Sequence, residues 1–158
     1  MFGTDINPTL VGWCEKNLPF GSFSTNHLSP PLAFPADSMG LIYAYSVFTH
    51  LPHDAQVAWR DDFARMLRPG GYLWLTVLNG DAENRAKFTV EETTQYDSGE
   101  LVIRFGAAAG ANQCTAFPPD AYLRTLFSES TGWRLVERET TGPRWASRVQ
   151  DALLIQRV

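Results

Sequence analysis

The sequence predicts an α/β fold in which a mostly parallel sheet is covered by helices. Two nearly continuous apolar runs, residues 39–48 and 72–78, are typical of strands that are buried on both faces. Between them, residues 53–67 carry an apolar stripe at helical spacing. Strands that alternate with helices in this way favour a parallel sheet. The chain has 158 residues, which fits one domain with a substantial core.

The first elements are a strand, a helix and a second strand. Residues 2–6 are interpreted as the end of a buried strand. Asn7 then offers a helix N-cap, and Pro8 fits the first helical position. The helix ends before Pro19, and a short strand is predicted around residues 22–25.

The second half of the chain has a different pattern. Residues 79–115 are predicted to be largely irregular, with one strand at 101–105, and to form a lid or a substrate-side insertion. A helix is predicted over residues 119–128. Two further strands are expected at 133–140 and 152–158.

Composition excludes several classes of function. The net charge of −4 disfavours a nucleic-acid backbone as partner, because phosphate binding requires a basic face. Cys14 and Cys114 have no metal-site spacing, and two lone thiols favour a reducing cytoplasm. No apolar run approaches the length of a membrane span, and no signal peptide is recognisable. We therefore expect a cytoplasmic protein without a metal, a nucleic acid or a membrane as partner.

Asp5 is the first residue whose position indicates chemistry. An acid at the carboxyl end of a strand in a doubly wound sheet can accept hydrogen bonds from both ribose hydroxyls of a nucleotide-like cofactor. The alternative is a structural aspartate that caps the following helix. The ribose interpretation does not distinguish NAD from S-adenosylmethionine.

A series of motifs in a fixed order carries a family resemblance. The turn at residues 67–71, Leu-Arg-Pro-Gly-Gly, has the local role of ending a helix sharply. Together with the other motifs it closely resembles the class I S-adenosylmethionine-dependent methyltransferases of the small-molecule type. The motifs that carry the resemblance are Gly3-Thr4-Asp5-Ile6-Asn7-Pro8, the stretch from Pro31 to Ile42, Tyr45-Ser46-Val47-Phe48-Thr49-His50-Leu51 and Leu67-Arg68-Pro69-Gly70-Gly71.

The resemblance implies a three-layer, Rossmann-like sandwich and a set of cofactor contacts. Its sheet is mostly parallel, and its last strand is antiparallel. The acid after the second strand, Asp5, would bind the cofactor ribose. Ile6 next to it, and Asn26 and His27 after the third strand, would lie at the adenine. Tyr45 and Ser46, at the end of the fourth strand, would line the methionine end.

Two further residues are candidates on the substrate side. His50 could act as a general base toward a substrate hydroxyl; the alternative is a histidine that only packs at the start of the next loop. Asp151 matches a position that faces the substrate in related enzymes. Its alternative role is an ion pair with a nearby arginine, such as Arg144 or Arg148.

The chain departs from the family at its start, where the first strand, the acidic Gly-x-Gly-x-Gly loop and the first helix are not recognisable. The resemblance therefore implies an N-terminally truncated domain. The family's strand order, 3-2-1-4-5-7-6, would leave two open edges. We expect either that strand 2 moves beside strand 4, giving 3-2-4-5-7-6, or that a homodimer covers the edges. The small-residue patch at residues 106–112 is interpreted as part of a lid rather than as a replacement loop.

The predicted function is methyl transfer from S-adenosylmethionine to a small-molecule acceptor, with cofactor binding weakened because the loop is missing. The alternative is a non-catalytic methyltransferase-like remnant that serves as a dimerising or interaction module. A third hypothesis, a nicotinamide-dependent dehydrogenase, shares the acid after strand 2. The Leu-Arg-Pro-Gly-Gly turn and the final strand pair count against it.

Overall fold

The computed structural model describes residues 1–78, 80, 82–140 and 150–158, and these contain eight strands and five α-helices. The strands are β1 (Phe2–Asp5), β2 (Ser22–Thr25), β3 (Met39–Ala44), β4 (Leu67–Leu78), β5 (Val102–Arg104), β6 (Thr115–Phe117), β7 (Trp133–Glu139) and β8 (Gln150–Arg157). The helices are α1 (Pro8–Asn17), α2 (His53–Met66), α3 (Ala82–Arg85), α4 (Val90–Asp97) and α5 (Asp120–Leu126).

The main strands form two separate sheets. In one, β1 and β2 are parallel. In the other, the order is β3-β4-β8-β7, with β3 and β4 parallel and β8 antiparallel to both of its neighbours. The expected antiparallel final pair is therefore confirmed. The family's strands 2 and 4 correspond to β1 and β3 of this chain. The expectation that these two strands become neighbours is wrong, because within the described residues β1 pairs only with β2 and β3 only with β4.

The loop between β2 and β3 explains why the two sheets stay apart. The indole N–H of Trp59 in α2 donates to the Leu28 carbonyl at 2.9 Å. Asp62, also in α2, accepts from the Leu32 backbone N–H at 2.8 Å, and Arg65 donates to the carbonyls of Leu32 and Phe34. The loop is thereby tied to α2 at several points, so β1 and β2 cannot slide to β3 without breaking these bonds.

Local sequence signals determine the helix ends as predicted. The Asn7 side-chain oxygen accepts from the backbone N–H groups of Thr9 and Leu10, and Pro8 is the first helical residue. Helix α2 ends at Met66, and β4 begins at the next residue. Residues 67–71, which the sequence predicts as a turn before a strand at 72–78, are thus the start of β4, and Gly70 within them has the positive φ of +77° that glycine permits.

The core lies on one face of the four-stranded sheet. Side chains of β3, β4 and β8 on this face pack against α2 and α5. The fully buried side chains of this cluster include Phe48, Met66, Leu67, Leu73, Leu75, Leu123, Trp133, Leu153 and Ile155. Burial of this apolar surface is the main source of stability for the domain.

The opposite face of the sheet is open, so β3 is not buried on both faces as predicted. Leu41 is 61 % exposed and Tyr43 is 62 % exposed. Tyr43 stacks on Trp74 of β4, with ring centroids 4.7 Å apart and nearly parallel planes. The reason is that α2 and α5 pack on the same side, while α1 packs on β1 and β2 and buries only Val11. The predicted third layer is thus not seen over β3, and the predicted buried strand β1 is half-buried to exposed.

The segment that was predicted to be irregular contains two short helices and a hairpin. Helix α4 begins with a capping box, in which Thr89 and Glu92 bond each other's backbone N–H groups. Strands β5 and β6 pair antiparallel. The capping box is visible in the sequence as Thr-Val-Glu-Glu, so α4 could have been predicted from it.

An ion pair joins α4 to the hairpin. Arg104 of β5 donates to both carboxylate oxygens of Glu92, at 2.7 and 2.5 Å. This hydrogen bonding lowers the pKa of Glu92 from 4.5 to about 2. Glu92 therefore stabilises the fold at pH values above 4.5, and this contribution is lost as the pH falls from 4.5 toward 2.

We expect Glu92→Gln to reduce the pH dependence of stability in that range. The measurement is the free energy of urea unfolding at pH 3 and at pH 6. The difference between the two values should be smaller in Glu92→Gln than in the wild type. Glu83→Gln, in an exposed pair with Lys87, is the matched control and should leave the difference unchanged. An unaltered difference in Glu92→Gln would contradict the prediction.

Candidate cofactor site

A cavity of about 1280 Å³ separates β1 from β3. Its walls include all four residues of β1 and most of β3. Residues of the loops that follow both strands also line it. Of the eight predicted site residues, six line it: Asp5, Ile6, Asn26, Tyr45, Ser46 and His50.

Asp5 has both of the roles that the sequence left open. One carboxylate oxygen, Oδ1, accepts from the Asn7 backbone N–H at 2.7 Å and so helps to start α1. No described residue donates to the other oxygen. Because an ionised carboxylate only accepts hydrogen bonds, Asp5 can still bind a hydroxyl at the cavity wall.

The adenine-side candidates separate into two groups. Asn26 and Ile6 line the cavity, whereas His27 does not. Instead, the His27 backbone carbonyl accepts from Asn26 Nδ2 at 2.6 Å. That bond orients the amide and leaves Asn26 Oδ1 as an acceptor for an amino group.

The turn after β3 forms the opposite wall. Tyr45 and Ser46 lie there, and the Tyr45 ring stacks at 6.5 Å from Trp74. Ser46 has φ +55°, a left-handed conformation that a residue with a Cβ adopts rarely. Such backbone conformations are frequent at functional sites.

His50 lies in the 3-10 turn that follows, and its ring orientation is fixed. Its Nδ1 is 2.7 Å from the Cys114 carbonyl oxygen. A carbonyl oxygen only accepts hydrogen bonds, so Nδ1 carries the proton. In the neutral ring Nε2 is then the unprotonated nitrogen, which can accept a proton. The geometry permits a proton acceptor at the cavity.

The small-residue segment after β5 reaches this cavity. Gly110, Ala111 and Asn112 line it, and the Gly110 N–H donates to the His50 carbonyl at 2.8 Å. A Cβ at Gly110 would lie 2.4 Å from Leu28 Cδ1. The segment therefore contacts loops from both sheets, a position that the sequence pattern does not reveal.

We expect Gly110→Ala to destabilise the protein by about 1–2 kcal/mol, because φ +79° is strained for alanine and its methyl group would collide with Leu28. Gly12→Ala is the matched control. Gly12 lies inside α1 with open space around it, so alanine should stabilise there by about 0.5–1 kcal/mol. Urea unfolding measures both. Equal effects of the two variants would show that the Gly110 contact is not formed.

Asp151 does not line the cavity. It is 1 % exposed and pairs with Arg138 at 2.6 Å. The ion-pair interpretation is thus confirmed with a different partner from the two arginines that the sequence suggested. Those two, Arg144 and Arg148, lie outside the described residues.

The described residues were compared with two further kinds of feature, a metal-binding cluster and a membrane-spanning helix. Among residues 1–78, 80, 82–140 and 150–158, no group of three or more His, Cys, Asp or Glu side chains could hold a metal ion. None of the helices described there is long and apolar enough to cross a bilayer.

The chain is similar to methyltransferases in one family model and in several solved structures. Residues 1–75 match the family model of the methyltransferase domain, and no curated protein matches the chain. An S-adenosylmethionine-dependent methyltransferase from Methanosarcina mazei has 14 % identity, and the match covers 99 % of this chain and 81 % of that one, with a TM-score of 0.74. One from Mesorhizobium loti has 14 % identity, coverages of 99 % and 79 %, and a TM-score of 0.70.

A third structure contains ligands. It is the 1,6-didemethyltoxoflavin-N1-methyltransferase of Burkholderia thailandensis, with its substrate and S-adenosylhomocysteine bound. It has 12 % identity and a TM-score of 0.67, and the match covers 99 % of this chain and 60 % of that one. The family match covers residues 1–75, just under half of the chain, and the solved structures show that the chain shares the fold of S-adenosylmethionine-dependent methyltransferases.

Proposed function

We propose that the chain binds S-adenosylmethionine in the cavity between β1 and β3 and transfers its methyl group to a small-molecule acceptor. The observation that carries this proposal is the convergence of Asp5, Asn26, Ser46 and His50 on one cavity. These residues come from three segments, at the ends of β1, β2 and β3, and each has a polar group suited to the cofactor or to its substrate. The Burkholderia structure, which holds 1,6-didemethyltoxoflavin, supports a small-molecule acceptor.

Each wall of the cavity would bind one part of the cofactor. The free carboxylate oxygen of Asp5 accepts from a ribose hydroxyl, while Asn26 Oδ1 accepts from the adenine amino group. Ile6 packs on the adenine ring, and His27 acts through its carbonyl by orienting Asn26. Tyr45 and Ser46 lie at the methionine end.

The bound cofactor supplies an electrophilic methyl group on its sulfonium. The chain's own contribution is mainly positioning, because in-line transfer requires the acceptor to be held close to that carbon. His50 Nε2 can take a proton from the acceptor, since Nδ1 is held by the Cys114 carbonyl.

The described residues of 79–115 form the lid in this proposal. Their support is the contact of Gly110 with His50 and with the Leu28 side of the cavity. Residues 79 and 81 lie outside the described residues. Cys14 and Cys114 are free thiols, which supports a reducing, cytoplasmic setting.

The test is calorimetric titration of the chain with S-adenosylhomocysteine, with NAD as the control ligand. We expect saturable binding of S-adenosylhomocysteine and none of NAD. Binding of NAD in competition would favour a dehydrogenase. No binding of either ligand up to millimolar concentration would contradict the proposed activity of this chain.

A second function, a dimerising or interaction module, is favoured by the open edges of β1 and β3 and by the open face at Leu41 and Tyr43. Unpaired edges and apolar faces associate readily. We propose that a second copy covers them. Light scattering across a concentration series should show a dimer, which Leu41→Lys dissociates and Val90→Lys, at an exposed site elsewhere, does not. A wild type that is monomeric throughout would contradict this.

A further inference from the structure

A buried polar cluster lies directly behind the cavity wall. It joins Thr76 of β4 and Gln150 of β8 to Ser46 and Thr49 in the turn after β3. Thr76 Oγ1 accepts from the Ser46 backbone N–H at 2.8 Å and donates to Gln150 Oε1 at 2.5 Å. Gln150 Nε2 donates to Ser46 Oγ at 3.1 Å. Thr76 and Gln150 are both buried, and neither of them lines the cavity.

The direction of every proton in this cluster follows from the chemistry of the groups. Thr49 Oγ1 donates its one proton to the Ser46 carbonyl at 3.1 Å. Ser46 Oγ must therefore donate in its 3.2 Å contact with Thr49 Oγ1, while it accepts from Gln150. Each hydroxyl then uses its single proton once. The cluster is closed, so loss of one member leaves buried partners unsatisfied.

The cluster stabilises an uncommon backbone conformation. Ser46 has φ +55°, which few residues other than glycine adopt. Four contacts act on this one residue: at its N–H, at its carbonyl and twice at its hydroxyl. A backbone conformation of this kind persists only where its surroundings determine it. Tyr45, Ser46 and Val47, which the turn contains, all line the cavity.

We propose that Thr76 and Gln150 are positioning residues of the cofactor site. They hold the turn at residues 45–47 in the conformation that the methionine end of S-adenosylmethionine requires, although neither touches the cofactor. This inference rests on the proposed function. A site whose wall is already ordered binds more tightly, because binding does not have to order it.

The test compares Thr76→Val with Thr76→Ser by titration with S-adenosylhomocysteine. Valine has the shape of threonine but leaves the Ser46 N–H and Gln150 Oε1 without a partner, so the affinity should fall by about tenfold. Serine retains the hydroxyl and should restore the wild-type affinity to within about threefold. Gln150→Leu breaks the cluster from β8 and should reproduce the loss if Thr76→Val fails to fold.

Thr131→Val separates positioning from general destabilisation. Thr131 Oγ1 donates to backbone carbonyls near α5, away from the cavity. This variant should lower the free energy of unfolding without lowering the affinity. Unchanged affinity in Thr76→Val and Gln150→Leu, or the same loss in Thr131→Val, would overturn the inference and leave the proposed function standing. A wild type that does not bind would overturn both.

Discussion

Replacing Leu75 by alanine should lower the free energy of unfolding by about 3–4 kcal/mol. Leu75 has no exposed surface. It lies in the middle of β4, opposite Ala44 of β3 and Leu153 of β8. Removal of its side chain leaves a cavity between the sheet and α2, and strands paired on both sides cannot move to fill it. Urea unfolding followed by circular dichroism gives the difference.

Leu41→Ala is the matched control for this prediction. It is the same substitution on the neighbouring strand, but Leu41 lies on the open face and is 61 % exposed. At protein concentrations low enough to keep the chain monomeric, we expect a loss below about 1 kcal/mol, because little apolar surface leaves a buried environment. Losses of similar size at the two positions would mean that the face at Leu41 is covered in solution.

Replacing Asp5 by alanine should weaken S-adenosylhomocysteine binding by about a hundredfold. Hydrogen bonds to a charged group contribute ~1.5–3 kcal/mol each, and the free Asp5 oxygen faces the proposed ribose position. Asp5→Asn retains an acceptor without the charge and should fall between alanine and the wild type. Calorimetric titration at constant pH measures all three affinities.

Asp5 also accepts from the Asn7 N–H, so part of any effect could come from α1. Asn7→Ala provides the control, because it removes the cap on Thr9 and Leu10 and leaves the Asp5 carboxylate in place. That variant should lose about 1 kcal/mol of stability and keep its affinity. Wild-type affinity in Asp5→Ala would place the ribose elsewhere.

Signals within a few residues predicted the local structure well. The Asn7-Pro8 pair placed the start of α1, and the apolar stripe of residues 53–67 placed α2 to within one residue. The polar and acidic segment around α4 was interpreted as irregular although its capping box is local. Helix α4 buries none of its residues, so its sequence lacks the apolar stripe on which the helix predictions depend.

The residues of the candidate site that lie at strand ends could be predicted from the sequence, whereas its long-range contacts could not. Asp5 ends β1, Asn26 and Ser46 come shortly after β2 and β3, and the carboxyl ends of parallel strands meet at one edge of a sheet. Their convergence could therefore be expected. Gly110 and the Thr76–Gln150 cluster could not, because these contacts join residues between 30 and 104 positions apart and no local pattern encodes them.

Outside residues 79–115, the sequence by itself determined the order of the strands and helices, the cap of α1 and the family resemblance, since each depends on neighbouring residues or on motif order. Only the tertiary structure decided that β1 and β3 remain apart, that one face of β3 is open and that Asp151 pairs with Arg138. These outcomes depend on which surfaces meet. The bonds from α2 to residues 28–34 hold the two sheets apart, and both core helices pack on the same side of the sheet.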